Sequence, residues 1–275
     1  MSASDTDRTV NSKPSSALRT PSLLERGMAS SPYVLSFLTL FVVWHLVAAY
    51  VVNSIMFPGP IPVLVKTMQL IADGTLIFNS IDSLQHILTG FLLGSAIGIP
   101  IGLSMGTFRF ARKLFEPWTE FLRFIPPTAM ITTAVIWFGI GESSKIFLIV
   151  YTTVFIVILN TAAGVASISP NKIRAAQSLG ANRWQIFTLV ALPATIPYIL
   201  TGMRLAMANS FMTLVAAEMV SAPGGLGVMI WNGRMFMLVD EIFSALLTLG
   251  VLGLATDRLF RYGIYRFARR YAPVT

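Results

Sequence analysis

The chain has 275 residues, of which 55% are hydrophobic and 12% are charged, and it has a net charge of +8 and no cysteine. A soluble domain carries about 25% charged residues, so this composition excludes an ordinary water-soluble core and predicts a multi-spanning all-α membrane protein. Without cysteine there is no disulfide, thiol nucleophile or cysteine metal site, and two histidines, His45 and His86, are too few for a histidine-rich metal site.

The N-terminal third begins with a polar segment and then becomes apolar. Residues 1–31 are rich in Ser, Thr and mixed charge, which predicts a disordered cytoplasmic tail. This polar segment is too long for a signal peptide, so Tyr33–Val52 is predicted to be a first span. Pro58–Pro62 then leads into a partly amphipathic helix, Val63–Ala72, which Asp73-Gly74 ends. This helix is either a plain connector or a functional helix on the outer surface.

Six apolar segments are candidates for membrane-spanning helices, which need roughly 20 apolar residues each. They are Tyr33–Val52, Leu84–Gly106, Pro127–Ile140, Ile146–Ala166, Ala194–Glu218 and Ile242–Phe260. The third is short unless Phe121–Pro126 contributes to it. The predicted organisation is therefore a tail (1–31), a first span with its outer connector (32–83), a core that includes the loop 169–193 (84–265), and a basic cytoplasmic C-terminus (266–275).

The Lys and Arg residues are distributed unevenly between the two predicted sides. Six spans place both termini on one side, together with the second-to-third and fourth-to-fifth loops. That side holds sixteen of the twenty basic residues: Arg8, Lys13, Arg19, Arg26, Arg109, Arg112, Lys113, Arg123, Lys172, Arg174, Arg183, Arg258, Arg261, Arg266, Arg269 and Arg270. The opposite side has Lys66, Lys145 and Arg234, and Arg204 lies within a span. Because basic residues accumulate on the cytoplasmic side, both termini are predicted to be cytoplasmic.

Five glycines recur at four-residue intervals along the second span. They are Gly90, Gly94, Gly98, Gly102 and Gly106. Residues four apart lie on one stripe of a helix, so these glycines predict a face where another backbone comes close. Packing within the chain, with no role in transport, is the favoured interpretation.

The fourth-to-fifth loop carries clear helix signals. Ser169 and Pro170 are typical of a helix start, and Gly180 is typical of its end. Asn182 then predicts the start of a second helix, which ends before Pro193. The loop carries large apolar residues on what is predicted to be cytoplasmic structure, among them Ile173, Leu179, Trp184, Ile186, Phe187 and Leu189. Such a surface is expected either to lie against the chain's own spans or to be covered by another protein.

This loop resembles the "EAA" loop of bacterial ABC importer permeases. The family pattern is Glu-Ala-Ala, three residues, Gly, and later Ile-x-Leu-Pro, and here Ala175, Ala176, Gly180 and Leu192-Pro193 stand at that spacing, with Arg174 in place of the acidic residue. In the family the loop is a cytoplasmic coupling helix that fits a groove on the ATPase subunit. The resemblance implies that the following residues dock the ATPase: Arg174, Ala175, Ala176, Gly180, Ala181 and Trp184.

Further stretches resemble the nitrate/sulfonate/taurine branch of that family, over about residues 55–265. They are Gly90-Phe91, Gly98–Gly102, Arg123–Pro127, Trp137–Glu142, Leu179–Trp184, Ala216–Met219 and Gly224–Gly227, while His86 stands where the branch often has arginine. The resemblance implies a type I ABC importer permease-like fold with about six transmembrane helices in a bacterial inner membrane. It also implies a homodimer, a separate subunit that binds ATP and Mg, and an extracytoplasmic binding protein that delivers a small, anionic cargo such as nitrate, a sulfonate or taurine.

The sequence gives less support to other classes of function. The chain has no GxxxxGK[ST] phosphate loop, HExxH motif or GxSxG elbow, and no constellation of paired carboxylates or nucleophiles, so no catalysis, cofactor, metal or nucleic-acid partner of its own is expected. The alternative is a secondary transporter or channel without an ATPase, but its inverted repeats and buried midplane charges are not evident.

Polar residues within predicted spans are candidates for the pathway, because polar groups there usually face a cavity or a partner. They are Asn160, Thr161, Arg204, Asn209 and Glu218. Arg204 either meets an anionic substrate or, as the favoured interpretation, snorkels or pairs with a carbonyl.

Overall fold

A computed structural model describes residues 23–50, 56–221 and 224–267, and the regular secondary structure of the described part is all helix, which confirms the all-α prediction. The helices are α1 (Leu23–Tyr50), α2 (Pro60–Ala72), α3 (Thr75–Thr107), α4 (Arg109–Leu122), α5 (Ile131–Phe138), α6 (Glu142–Ala166), α7 (Pro170–Ser178), α8 (Arg183–Ile186), α9 (Leu192–Ser221), α10 (Leu226–Met235) and α11 (Val239–Phe267). α1 belongs to one compact unit, Met1–Val52, and the other helices form a second. The predicted disorder of residues 1–22 and the end of the basic C-terminus lie outside the described residues.

Among the described helices, four are long and apolar enough to cross a membrane: Thr75–Thr107, Glu142–Ala166, Arg183–Val220 and Val239–Arg266. They contain the second, fourth, fifth and sixth predicted spans and extend beyond the predicted bounds. The first predicted span lies in α1, which begins at Leu23 rather than Tyr33. Residues 23–29 are mostly good helix formers, so part of the predicted tail is helical.

The connector helix α2 packs against the core through one face. Val63 and Leu70 are buried, whereas Leu64 and Met68 are exposed. α2 begins at Pro60, a residue that favours the first turn of a helix, and it is followed by Gly74 with a φ of +81°.

The glycine stripe of α3 packs against α6. A Cβ at Gly94 would lie 2.6 Å from the Cβ of Thr153, and one at Gly98 would lie 3.0 Å from that of Val157. Along the stripe, Gly90 meets Ile149, Gly102 meets Thr161 and Gly106 meets Val165. From each glycine of α3 to the next, the contacted residue of α6 also moves four positions towards the C-terminus, so α3 and α6 run parallel. The close approach predicted for the glycines is therefore made within the chain.

Because α3 and α6 are parallel, the segment between them must return across the core. α4 starts beside the C-terminal end of α3, where Arg112 Nε donates to the Met105 carbonyl at 3.3 Å. α5 ends beside the N-terminal end of α6, where the rings of Phe138 and Phe147 lie 5.1 Å apart. The segment that returns across the core consists of α4, α5 and the residues between them, and the third predicted span, Pro127–Ile140, covers only its second half.

The return is not one continuous helix. α5 has eight residues, about 12 Å of helix, against a hydrocarbon core of about 30 Å. Non-helical residues around Pro126 and Pro127 separate α5 from α4. A proline lacks the backbone donor that a continuous helix needs, and it disfavours helical geometry in the residue before it.

α9 runs antiparallel to α6, and α11 closes the core. Asn160 packs on Gly202, and the hydroxyls of Thr153 and Ser210 lie 3.2 Å apart. The C-termini of α3 and α6 and the loop 169–193 thus lie at one end of the core, here called the loop end. The N-termini of α3, α6 and α11 lie at the other, here called the far end.

Candidate functional site

The loop 169–193, called the docking loop here, begins with α7 and a sharp turn. Gly180 has a φ of +80°, which an L side chain adopts only with strain. The Gly180 amide donates to the Gln177 carbonyl at 2.9 Å, and the Ala181 amide donates to the Ala176 carbonyl at 3.0 Å. These two bonds form a Schellman motif, as a glycine after a helix predicts. Ser169 occupies the N-cap position of α7, although its side chain makes no capping bond.

The second helix of the docking loop differs from its prediction. Asn182 and Gln185 form a reciprocal capping box, in which each side chain accepts from the other's backbone amide at 2.8 Å. The helix does not end before Pro193, however, because a π-helical turn, Phe187–Ala191, leads directly into α9. Pro193 cannot donate to the carbonyl four residues before it and would crowd that carbonyl in a regular helix. The wider turn accommodates this without a break.

The apolar residues of the docking loop fall into two groups. Ile173, Ile186 and Phe187 line a cavity of about 690 Å³ together with Gly106 and Val165 of the core. A second group is exposed: Leu179 is 89% exposed, Trp184 71% and Leu189 72%, and Trp184 also borders the cavity, with its ring 5.7 Å from that of Phe187. One face of the docking loop therefore lies against the chain's own spans, as one of the two expectations had it, and the other face is left uncovered, so that its covering by another protein stays a prediction.

The remaining docking candidates lie on or next to the exposed face. Arg174 and Ala175 are exposed on α7, and Ala176 and Ala181 are half-buried beside the turn. The Arg174 guanidinium donates to Asn171 Oδ1 at 3.0 Å, so the residue that replaces the family's carboxylate has a local partner.

The structure does not bring the five pathway candidates together. Asn160 and Thr161 pack between helices against Gly202 and Gly102. Arg204 is half-exposed, and its Nε donates to Asp257 Oδ1 at 2.6 Å. The partner of Arg204 is therefore a carboxylate of α11, distant in sequence, rather than the carbonyl of the favoured interpretation, and snorkelling stays a prediction.

Of the five candidates, Asn209 lines a cavity of about 460 Å³ beside the middle of α6, called the mid-depth cavity here, whose wall is mostly apolar with several polar side chains. Its wall includes Arg123, Thr128, Tyr151, Thr152, Phe155, Asn209 and Thr213. The Tyr151 hydroxyl donates to the Leu122 carbonyl at 2.6 Å, which places Arg123 near mid-length of α6. Arg123 was predicted to lie in a loop on the cytoplasmic side; it instead lies within the returning segment, where Glu120 accepts from it at 2.6 Å.

Glu218, the fifth candidate, belongs to a buried group at the far end that sequence reasoning missed. This group, called the polar cluster, comprises Asp82, Ser83 and His86 of α3, Glu142 and Lys145 of α6, and Glu218 of α9. His86 and Glu218 are 2% and 1% exposed, and Lys145 is fully buried. His86 Nε2 is hydrogen-bonded to Glu142, and Lys145 Nζ donates to Glu142 Oε1 at 3.1 Å.

The turn before α10 closes over the polar cluster. The Gly227 amide donates to Glu218 Oε2 at 2.8 Å, the Leu226 amide to Ser83 Oγ at 2.9 Å, and the Gly225 amide to Asn79 Oδ1 at 2.7 Å. The first turn of a helix has free backbone donors, and here Glu218 satisfies one of them. A buried carboxylate with several donors is a structural anchor rather than an open pathway residue.

Comparison with known proteins agrees with these features. Residues 98–270 match the family model described as binding-protein-dependent transport system inner membrane component. A protein described as a probable ABC transporter permease, from Brucella melitensis, is 40% identical over 218 residues, which is 79% of this chain and 88% of that protein. The taurine transport system permease protein TauC of Escherichia coli is 36% identical over 241 residues, which is 85% of this chain and 86% of that protein.

A solved structure shares the fold. A chain of the MetNI methionine ABC transporter, in an inward-facing conformation, aligns with a TM-score of 0.61 at 19% identity, covering 72% of this chain and 97% of that one. The family match rules out the secondary transporter or channel as the function of this chain. The chain belongs to the family of binding-protein-dependent transport system inner membrane components and is a non-catalytic, membrane-embedded permease subunit of an ABC transporter.

Proposed function

We propose that two copies of this chain form the pathway of an ABC importer in a bacterial inner membrane and that a separate ATPase docks on the docking loop. ATP and Mg bind the ATPase, and an extracytoplasmic binding protein delivers the cargo to the far end. The observation that carries this proposal is the exposed apolar face formed by Leu179, Trp184 and Leu189. An aromatic and aliphatic surface of this kind on a polar loop is typical of a protein interface.

The distribution of charge supports a cytoplasmic loop end. Lys172, Arg174 and Arg183 lie in the docking loop, and further basic residues lie at the adjoining ends of α4 and α11. A loop end that carries most of the Lys and Arg residues is expected to remain in the cytoplasm. Both termini are then cytoplasmic, and ATP is available at the end where the ATPase docks.

The mid-depth cavity supports a small anionic cargo. An arginine at membrane depth is costly and is usually functional. The wall that contains Arg123 also contains the hydroxyls of Thr128, Thr152 and Thr213 and the amide of Asn209, which suit the oxygen atoms of a sulfonate or nitrate. The TauC relative is named for taurine, an aminosulfonate, which agrees with this class.

The docking proposal is tested by replacing an exposed apolar residue at each end. Leu179→Asp alters the docking loop, and Met237→Asp alters an exposed methionine of the far end. Loss of an interface anchor costs about 2 kcal/mol or more, which is about 30-fold in affinity. We expect Leu179→Asp to lose the ATPase on co-purification and to lose ATP-driven uptake, while Met237→Asp keeps the ATPase. Equal retention of the ATPase by both variants would remove the docking loop from its proposed role.

The cargo proposal is tested separately. The partner binding protein is screened by thermal shift against taurine, longer alkanesulfonates and nitrate, and uptake of the stabilising compound is measured in proteoliposomes. Arg123→Gln is expected to reduce uptake while leaving co-purification of the ATPase unchanged. Unaltered uptake by this variant would contradict a role for the mid-depth cavity, and stabilisation by cations or neutral solutes alone would contradict an anionic cargo.

A further inference from the structure

Three possible metal-ligand atoms of the polar cluster, one from each of Asp82, His86 and Glu218, face one another. His86 Nδ1 lies 3.9 Å from Asp82 Oδ2 and 3.8 Å from Glu218 Oε1, and the three atoms lie within 4.8 Å of one another. Among the described residues, His86 Nδ1 and Asp82 Oδ2 have no hydrogen-bond partner. His86 is 2% exposed, so water cannot freely satisfy its nitrogen. Buried acceptors in this arrangement need a shared cation or proton.

The second nitrogen of His86 is already engaged. His86 Nε2 is hydrogen-bonded to Glu142, and donation from this nitrogen leaves a lone pair on Nδ1. A carboxylate that accepts from the far nitrogen of an imidazole is the usual support of a metal-binding histidine, since it fixes the tautomer and ring orientation. The bare nitrogen then points between two carboxylate oxygens, from α3 and α9.

The charge of the polar cluster also favours a divalent cation. Asp82, Glu142 and Glu218 supply three carboxylates, and Lys145 supplies one ammonium, which lies 3.1 Å from Glu142 Oε1 and 4.0 Å from Asp82 Oδ2. With a neutral histidine the group has two negative charges in excess. A divalent ion balances both, whereas a proton on His86 balances one, and uncompensated buried charge is costly.

We propose that Asp82, His86 and Glu218 bind a divalent first-row transition-metal ion, for which Zn²⁺ is the probe. One imidazole and two carboxylates suit such an ion, while Ca²⁺ requires six to eight oxygen ligands. Ligands around tetrahedral Zn²⁺ lie about 3.4 Å apart, so each distance from His86 Nδ1 to a carboxylate oxygen would shorten by about 0.5 Å, and the distance between the two oxygens would shorten by up to about 1.4 Å. The ligand atoms themselves are buried, and Asp82 and Glu142, whose side chains are 22% and 59% exposed, form the edge of the site that faces the solution at the far end.

This site would join two helices of the core. Asp82 and His86 belong to α3 and Glu218 belongs to α9, so a bound ion links helices that would separate if the far end opened. A ligand that binds one arrangement of the helices more tightly than another favours that arrangement. Bound metal therefore stabilises the arrangement described here, independently of ATPase docking and of the cargo.

The test measures metal binding by the full chain alone. The protein is purified in detergent with a histidine-free affinity tag, stripped with EDTA and dialysed. It is then titrated with ZnCl₂ by calorimetry, with MgCl₂ and CaCl₂ as comparison arms. We expect one Zn²⁺ per chain and no comparable binding of Mg²⁺ or Ca²⁺. Wild-type protein that is folded but binds no Zn²⁺ would overturn the proposal and leave a proton on His86 as the shared cation.

The chain supplies its own matched control, because it contains only two histidines. His86→Gln keeps a donor for Glu142 and is expected to abolish Zn²⁺ binding, whereas His45→Gln is expected to bind like the wild type. Glu142→Gln is the second variant and tests the site if His86→Gln does not fold. The Glu142 side chain is 59% exposed, and its replacement is expected to weaken Zn²⁺ binding about 10- to 100-fold. Zn²⁺ affinity unchanged in His86→Gln, or in a folded Glu142→Gln, would contradict the site.

Discussion

The docking loop and the polar cluster lie at opposite ends of the core and are built in opposite ways. The docking loop is exposed and held by contacts between near neighbours in sequence, such as the capping box of Asn182 and Gln185. The polar cluster is buried and held by contacts such as Ser83 to Glu218, which are 135 residues apart. The members of the polar cluster come from three helices, whereas the docking loop is held by its own residues and by packing of one face against the core.

The difference in burial between the two regions implies different roles, one in binding a partner and one in stabilising the fold. The docking loop leaves apolar side chains unsatisfied, and an uncovered apolar face gains free energy when a partner covers it. The polar cluster satisfies nearly all its groups internally, so it stabilises the far end and has little left to offer a protein partner. Changes in the docking loop should therefore affect assembly, and changes in the polar cluster should affect folding.

The largest expected effect is the loss of Glu218. Glu218→Ala removes the acceptor of Ser83 and of the Gly227 amide and leaves Lys145 and His86 with fewer countercharges. Removing one partner from a buried charged group costs about 3–5 kcal/mol. Unfolding of the purified chain in mixed micelles with EDTA, followed by tryptophan fluorescence, should show this loss.

Glu218→Gln is the control for that prediction. An amide oxygen can still accept from Ser83 and from the backbone, so the loss of stability should be smaller than that of Glu218→Ala. Equal stability of wild-type protein and Glu218→Ala would show that the polar cluster is not a structural anchor, and the contrast between the two ends would fail.

An intermediate effect is expected at the turn of the docking loop. Gly180→Val forces a β-branched residue into the left-handed region, at a cost of roughly 1–2 kcal/mol. No atom lies within 4 Å of the added Cβ, so the cost arises in the backbone and is confined to the docking loop. Unfolding of the spans should be unchanged, while co-purification of the ATPase and ATP-driven uptake should fall.

Gly180→Asn separates backbone strain from the mere loss of glycine. Asparagine tolerates the left-handed region, so this variant should retain most of the ATPase and most of the uptake. If the two variants behave alike, the conformation of Gly180 is not what matters for docking.

The docking loop was largely predictable because its structure is encoded locally. Pro170, Gly180 and Asn182 act through their own backbone preferences and through partners a few residues away. The glycine stripe of α3 was similarly clear, because the spacing of four residues places all five glycines on one face. The continuation past Pro193 was not predictable, since the widened turn before it leaves no clear pattern in the sequence.

The polar cluster could not be predicted because its partners are brought together only by helix packing. His86 stood alone within an apolar segment, and nothing near it in sequence points to Glu142 or Glu218. Arg123 was misplaced for a related reason, because the returning segment begins as a helix at the loop end and breaks at Pro126-Pro127. The parallel packing of α3 and α6, which requires that return, is visible only in the structure.

The smallest expected effect comes from a partly exposed ion pair at the far end. Lys66 Nζ of α2 lies 2.9 Å from Glu241 Oε1 of α11, and the two side chains are 26% and 21% exposed. The hydrogen bond to Glu241 raises the pKa of Lys66 above its ordinary value of 10.5. Such pairs contribute about 0–1 kcal/mol, so Lys66→Gln should cost much less than Glu218→Ala.

The pH dependence of this pair has a definite sign. Because the pKa of Lys66 is higher in the folded chain, its contribution is fully present below pH 10.5 and is lost as pH rises through the raised pKa. Unfolding curves of wild-type protein and Lys66→Gln should therefore differ slightly at neutral pH and converge above that range, and added salt should narrow the neutral-pH difference. If Lys66→Gln lowered the free energy of unfolding as much as Glu218→Ala does, the partly exposed pair of Lys66 and Glu241 would contribute as much as the buried polar cluster, contrary to the expectation from exposure. A stability difference between wild-type protein and Lys66→Gln that grows with rising pH would contradict the raised pKa of Lys66.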